Sequence, residues 1–230
     1  MRRAWVVSCA LALLLGVGLA GCGADDPPPK PVRTLEPRLS ASSPSPAVNN
    51  PDSGVCSLLT SKERASIAGG KLDVVVPVAQ RARTCRWVRN GSGPLPAIEV
   101  TATPAREWVS QMPSLIDRMV QAGRVDAKFS KRLQSAKKKV ARGADKMGKR
   151  EVCDLFSLIV EANGGEKDGK TLVYPVPTAA GDIIASVQKC SKGVNTLVTY
   201  SENGLRPSEP LGQAMLRLAD LAHQRAIKLF

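Results

Sequence analysis

Read from the amino terminus, the chain shows three regimes of apolar and polar residues. Residues 4–17 are a nearly unbroken uncharged, apolar run; residues 23–53 have no apolar periodicity and are rich in Pro, Ser, Ala and Asp; only from residue 54 on do fold-like rhythms appear. Thr60-Ser61-Lys62-Glu63 has the form of a capping box and predicts a helix to about Ala68, stopped by Gly69-Gly70. Residues 72–78 are β-branched and read as a strand. Residues 84–89 alternate, with Cys85, Trp87 and Arg89 on one face, and Asn90-Gly91 supplies a turn; residues 97–103 alternate again, with Ile98, Val100 and Ala102 together. A helix capped by Thr103 and opened by Pro104 should follow, carrying Trp108, Leu115, Ile116 and Met119 and kinked or broken at Pro113.

A second pass begins at Cys153. The apolar run 154–162 fits a helix or a strand, and the helical spacing of Leu155, Leu158 and Ile159 favours the helix. Residues 171–176, 183–189 and 194–200 read as strands. A long helix opens at residues 207–210 with Ser208 as its cap and a buried stripe of Leu211, Met215, Leu218, Ala222 and Leu229. The two passes resemble each other: Cys56-x-Leu58, Pro77-Val78 and Cys85 recur as Cys153-x-Leu155, Pro175-Val176 and Cys190. The expected fold class is α+β, an antiparallel sheet with packed helices built from two similar helix–strands–helix halves. The organisation is residues 1–21, a targeting segment; 22–53, a tether; 54–123, a first half; 124–150, a basic helical insert; and 151–230, a second half.

Arg2 and Arg3 precede the apolar run, and Leu19-Ala20-Gly21-Cys22 follows it. A charged start, a short apolar stretch and small residues before a cleavage point make a signal peptide. The run is shorter than the roughly 20 residues a membrane-crossing helix needs. Leu-Ala-Gly-Cys resembles the lipobox of bacterial lipoproteins, which implies cleavage before Cys22, a diacylglycerol on its thiol, and a protein held on the outer face of the cell membrane. Two acyl chains anchor stably where one holds only marginally. The segment 23–53 cannot bury enough apolar surface to offset its ordering entropy, so a flexible tether is expected.

Cys9 would leave with the signal and Cys22 would be acylated. Cys56, Cys85, Cys153 and Cys190 remain, an even number in an oxidising compartment, and point to two disulfides. The repeated spacing favours pairing within each half, Cys56 with Cys85 and Cys153 with Cys190. A zinc site has little support, with no C-x-x-C spacing and His223 the only histidine.

The formal net charge is +13, or +11 once Arg2 and Arg3 are removed, and residues 124–150 alone hold eleven Lys or Arg against two Asp. The basicity is therefore a patch. Val125, Phe129, Leu133, Ala136 and Val140 form one helical stripe, which would dock and turn Lys128, Lys131, Arg132, Lys137, Lys138, Lys139 and Arg142 outward. Such a face suits an anionic partner, a lipid headgroup or a wall polymer. Aromatic side chains for base stacking are missing from it, so no specific nucleic acid is expected.

Other motifs carry less. Gly164 to Thr171 satisfies G-x-x-x-x-G-K-T, but a strand-like, proline-broken run follows where phosphate chemistry needs a helix. Ser135-x-x-Lys138 has none of the companion motifs of acyl-serine enzymes. His223 lies in the last helix with no nucleophile elbow, and Trp87 and Trp108 read as core. No catalytic residue, cofactor or metal is assigned.

Cys56-Ser57-Leu58-Leu59-Thr60, with Glu63 and Cys85-Arg86-Trp87, resembles an actinobacterial lipoprotein family, the domain-of-unknown-function family 3558, over about residues 55–122. The resemblance implies a lipobox, a Pro/Ser tether, a Cys-x-Leu-Leu-Thr helix and a Cys-x-Trp strand, and brings no catalytic residue or ligand. The expected function is a non-enzymatic binding or envelope-associated module. One alternative, a carrier of a lipid or small apolar ligand, needs a large apolar cavity. The other, a cell-wall-modifying hydrolase, needs acids, Ser or His gathered in a cleft.

Overall fold

A computed structural model describes residues 54–76, 83–91, 94–123, 125–178 and 181–230. The expected signal segment, Cys22, the expected tether, Pro77-Val78 and Arg124 lie outside them. The described chain forms six strands in one antiparallel sheet, β1 (Val74–Val76), β2 (Thr84–Val88), β3 (Ala97–Pro104), β4 (Thr171–Pro177), β5 (Ile183–Ser191) and β6 (Val194–Ser201), in the order β1-β2-β3-β6-β5-β4. Each half contributes a three-stranded meander, and the halves join where β3 pairs with β6, Val100 opposite Val198. The helices are α1 (Ser61–Ala68), α2 (Ala105–Val109), α3 (Met112–Gln121), α4 (Ala127–Gly143), α5 (Lys149–Ala162) and α6 (Glu209–Leu229).

Side chains on a strand alternate between faces, so parity sorts the core into two layers. Cys85, Trp87, Ile98, Val100, Ala102, Val187, Val198 and Tyr200 share one face. They pack with Cys56, Leu58 and Leu59 of a 3-10 turn (Gly54–Leu58 and its successor) and with Met215, Leu218, Ala219, Ala222 and Ala226 of α6. The opposite face carries Leu172 and Cys190, which join the cores of α2, α3, α4 and α5. The helix–strands–helix order thus repeats, but the first helices of the two halves lie on opposite sides of the sheet. The two disulfides, Cys56–Cys85 and Cys153–Cys190, accordingly staple opposite faces.

Most element ends follow from local chemistry. Thr60 Oγ1 accepts from the Glu63 N–H at 3.3 Å, the Glu63 carboxylate accepts from the Thr60 N–H at 2.8 Å, and Gly69 leaves α1 in the left-handed region. Ser208 caps α6 by accepting from the Leu211 N–H. Pro113 sits in the first turn of α3, and the expected break falls before it, between α2 and α3.

Three expectations need correction. Thr103 does not cap α2; it stays in β3 opposite Asn195, because the β3–β6 ladder extends through Pro104 and Val194. Strand β1 starts at Val74 rather than at Leu72, which lies outside the ladder and is buried in the core. In α6 the buried stripe ends with Ala226; Leu229 is 45% exposed.

Candidate anion-binding surface

Helix α4 begins where Asp126 accepts from the Phe129 N–H at 2.7 Å, meeting one of the N–H groups a helix start leaves unpaired. Its apolar stripe docks as its spacing demands: Leu133, Ala136 and Val140 are buried, and Val125 and Phe129 pack partly buried against the same core. The docked stripe fixes the orientation of the basic residues.

The seven basic residues divide into two groups. Arg132 donates to Glu161 on α5 at 2.8 Å and lies over the Phe129 ring at 4.8 Å. Lys137 reaches both oxygens of Asp117 on α3 at 2.6 and 2.8 Å, and Lys139 reaches Glu151 on α5 at 2.5 Å. Burial acts to raise the Glu161 carboxyl, but Arg132 and the Asp168 N–H outweigh it and leave its pKa below the ordinary value. The hydrogen bond from Lys139, helped by the Gly148 N–H, lowers Glu151. These three cations are turned toward the protein's own carboxylates.

Lys128, Lys131, Lys138 and Arg142 are exposed and meet no carboxylate among the described residues. With about 100° of rotation per residue they fall within an arc of about 80° on the side of α4 away from the docked stripe, and span about 21 Å of helix. The seven-residue patch thus divides into an outer row of four without a carboxylate partner among the described residues and three paired cations, of which Arg132 and Lys139 are also exposed. Ser135 shares the arc, and Lys138, the lysine of the Ser-x-x-Lys match, points into solvent there. Beside the row, a shallow groove of about 290 Å³ runs between α4 and α5, with Leu155 and Leu158 among its lining and Arg132 and Lys139 along it.

No family model, curated protein or solved structure matches the chain.

The remaining motif residues find structural places. Gly164 to Thr171 is the turn from α5 into β4: Asp168 takes a positive φ, and a side chain at Gly165 or Gly169 would press on Val160. Thr171 opens a strand, so the loop has no helix start at which to meet a phosphate. Trp87 is fully buried, with the Arg64 guanidinium 4.6 Å from its ring centre, and Trp108 meets Phe156 edge-on. Among the described residues no group of three His, Cys, Asp or Glu could hold a metal ion.

Two clusters were not legible in the sequence. One joins His223 of α6 to Ser191 through Nε2 at 2.7 Å and to Thr196 through Nδ1 at 2.9 Å. It has the outline of a nucleophile, a base and an orienting group, but the orienting group is a hydroxyl. The nearby Asp220 is occupied by Lys189, and burial, with Lys189 adding to it, depresses His223 to about 4. The second cluster is an open cleft of about 790 Å³ at the start of α5, lined by Lys149, Arg150, Cys153, Asp154, Asp168, Lys170 and Lys192. Its residues come from three separate stretches of sequence, so no window of the chain displays it.

Proposed function

We propose that this chain is a lipoprotein anchored through Cys22 to the outer face of the cell membrane, a non-enzymatic module whose outer α4 row faces an anionic surface. The observation that carries the reading is the division on α4: three cations pair with the protein's own carboxylates, while Lys128, Lys131, Lys138 and Arg142 form a row with no carboxylate partner among the described residues, turned away from a docked stripe. A basic residue close to an anionic membrane contributes up to about 1 kcal/mol, so four give an orienting rather than an anchoring interaction. The anchor would hold the protein, the tether would allow approach, and the row would choose which side approaches. The resemblance to the domain-of-unknown-function family 3558 is consistent with this division of labour. Cys56, Leu58, Leu59, Thr60, Glu63, Cys85 and Trp87, the residues that carry it, all serve caps, a disulfide or the core, and none lies on the outer α4 row.

Two experiments test the reading. Cys22→Ala should release the protein from the membrane or stop its processing; a mutant still cleaved and still anchored would place the anchor elsewhere. Residues 54–230, which contain both cores, should sediment with phosphatidylglycerol vesicles and not with phosphatidylcholine vesicles at about 0.1 M salt, where the screening length is about 10 Å. Equal partition to both would reject the α4 face as a membrane-facing surface.

A further inference from the structure

The cleft at the start of α5 is separate from the outer α4 row and depends on neither the anchor nor that row. Its charges are not equivalent. Lys170 Nζ donates to Asp154 at 2.7 Å, to Ser157 Oγ at 2.8 Å and to the Cys153 carbonyl at 3.0 Å, so its three donors are used and Asp154 is neutralised. Lys149, Arg150 and Lys192 line the same cleft with no carboxylate partner among the described residues, against Asp168 alone. With Lys170 and Asp154 offsetting each other, the lining keeps three cations against one carboxylate, a surplus of two positive charges that favours an anion.

The backbone keeps them there. Lys192 and Gly193 form the two-residue turn from β5 to β6, with φ of 50° and 80° and Ser191 paired to Val194. Positive φ at both positions is the habit of Asn-Gly or Gly-Gly, and a lysine at the first is unfavourable there. Gly193 is required for a second reason: a Cβ on it would lie 2.6 to 2.8 Å from three carbons of the Lys149 stem. Lys149 is therefore laid along the turn that carries Lys192. The turn is pinned to α2, where the Ala105 N–H donates to the Gly193 carbonyl at 2.8 Å. The Cys153–Cys190 disulfide ties α5 to β5 directly beneath.

We propose that this cleft binds the phosphate group of a phosphate ester, held by Lys149, Arg150 and Lys192. Arg150 offers a fork of donors to two phosphate oxygens and the lysines add point charges, the pairing that phosphate recognition uses elsewhere. The cleft is several times larger than a phosphate, which leaves room for the esterified alcohol.

The test is calorimetric titration of the full chain, in neutral detergent, with inorganic phosphate, glycerol 3-phosphate and a water-soluble short-chain phosphatidylglycerol. Saturable binding of glycerol 3-phosphate at or below about 1 mM is expected, and Lys149→Gln should weaken it about tenfold or more. Lys192→Asn gives the sharper comparison, because asparagine suits the turn. It should weaken binding similarly while thermal stability holds or rises, which a purely structural lysine would not produce. Lys228→Gln, an exposed lysine at the far end of α6, should leave the affinity unchanged. Binding of glycerol 3-phosphate alone assigns a soluble ester, and binding of the short-chain lipid that Lys149→Gln also weakens assigns a headgroup. No saturable heat with any of the three up to about 10 mM, or wild-type affinity in both cleft variants, overturns the proposal.

Discussion

Glu63 shows how much one carboxylate can hold. Its Oε2 accepts the Thr60 N–H that closes the capping box and also Arg225 Nη1 at 2.6 Å, while Oε1 accepts Arg225 Nη2 at 2.7 Å. Arg225 further donates to the Leu58 carbonyl, so this pair clamps α6 to the first helix of the chain. The Arg225 hydrogen bonds outweigh burial and lower the Glu63 carboxyl from 4.5 to about 2. Because the folded state holds this proton less tightly than the unfolded state, the stabilisation is complete above pH 4.5 and is lost as pH falls toward 2. Chemical denaturation across that window should show a loss of about 2 to 3 kcal/mol, and Glu63→Gln should flatten it. His223 governs a higher window. Burial leaves it at about 4 rather than 6.5, so stability should decline as pH falls from 6.5 to 4, when the unfolded state takes a proton the folded state refuses. His223→Gln should remove that slope while leaving the slope due to Glu63. A shared slope that persists in both variants would mean that other groups govern acid unfolding.

At the scale of elements, α4 was the most legible part of the chain. A stripe at intervals of three and four, with lysines between, fixed its existence and its buried side, while its Asp126 cap came from the structure. The sequence could not reveal which lysines are taken, because Asp117, Glu151 and Glu161 lie on other helices and reach α4 only after folding. Pro113 was readable for a similar local reason, whereas Thr103 misled because a capping preference yielded to a longer strand pairing. The docked and outward positions of α4 should respond differently to substitution. Leu133→Ala opens a cavity in the second core and should cost about 2 to 5 kcal/mol in thermal or denaturant unfolding. Lys138→Gln should stay within about 0.5 kcal/mol of wild type. Comparable losses from both would mean that α4 docks by another face.

Across the whole molecule, repeated cysteine spacing correctly indicated the pairing, but not that the two halves use opposite faces of one sheet. That reversal is a matter of strand parity: Cys85 shares its face with Trp87 and Val100, whereas Cys190 lies three residues past Val187 and points the other way. The cleft was invisible for a related reason, since Lys149, Lys170 and Lys192 converge only when α5 crosses to the second face. Each disulfide closes a loop, with sequence separations of 29 and 37 residues, and replacing either pair by alanine should cost about 3.5 to 4 kcal/mol on a chain-entropy basis. Peptide mapping without reduction should recover Cys56 with Cys85 and Cys153 with Cys190. The central claim concerns which charges face outward, and a salt titration of vesicle binding tests it most directly. Residues 54–230 should be compared with two variants on phosphatidylglycerol vesicles. One replaces Lys128, Lys131, Lys138 and Arg142 by Gln, and the other replaces Arg132, Lys137 and Lys139 by Gln. The first should lose most of the affinity and nearly all of its salt dependence, while the second keeps the greater part of both. Equal losses, or a larger loss in the second, would contradict the account.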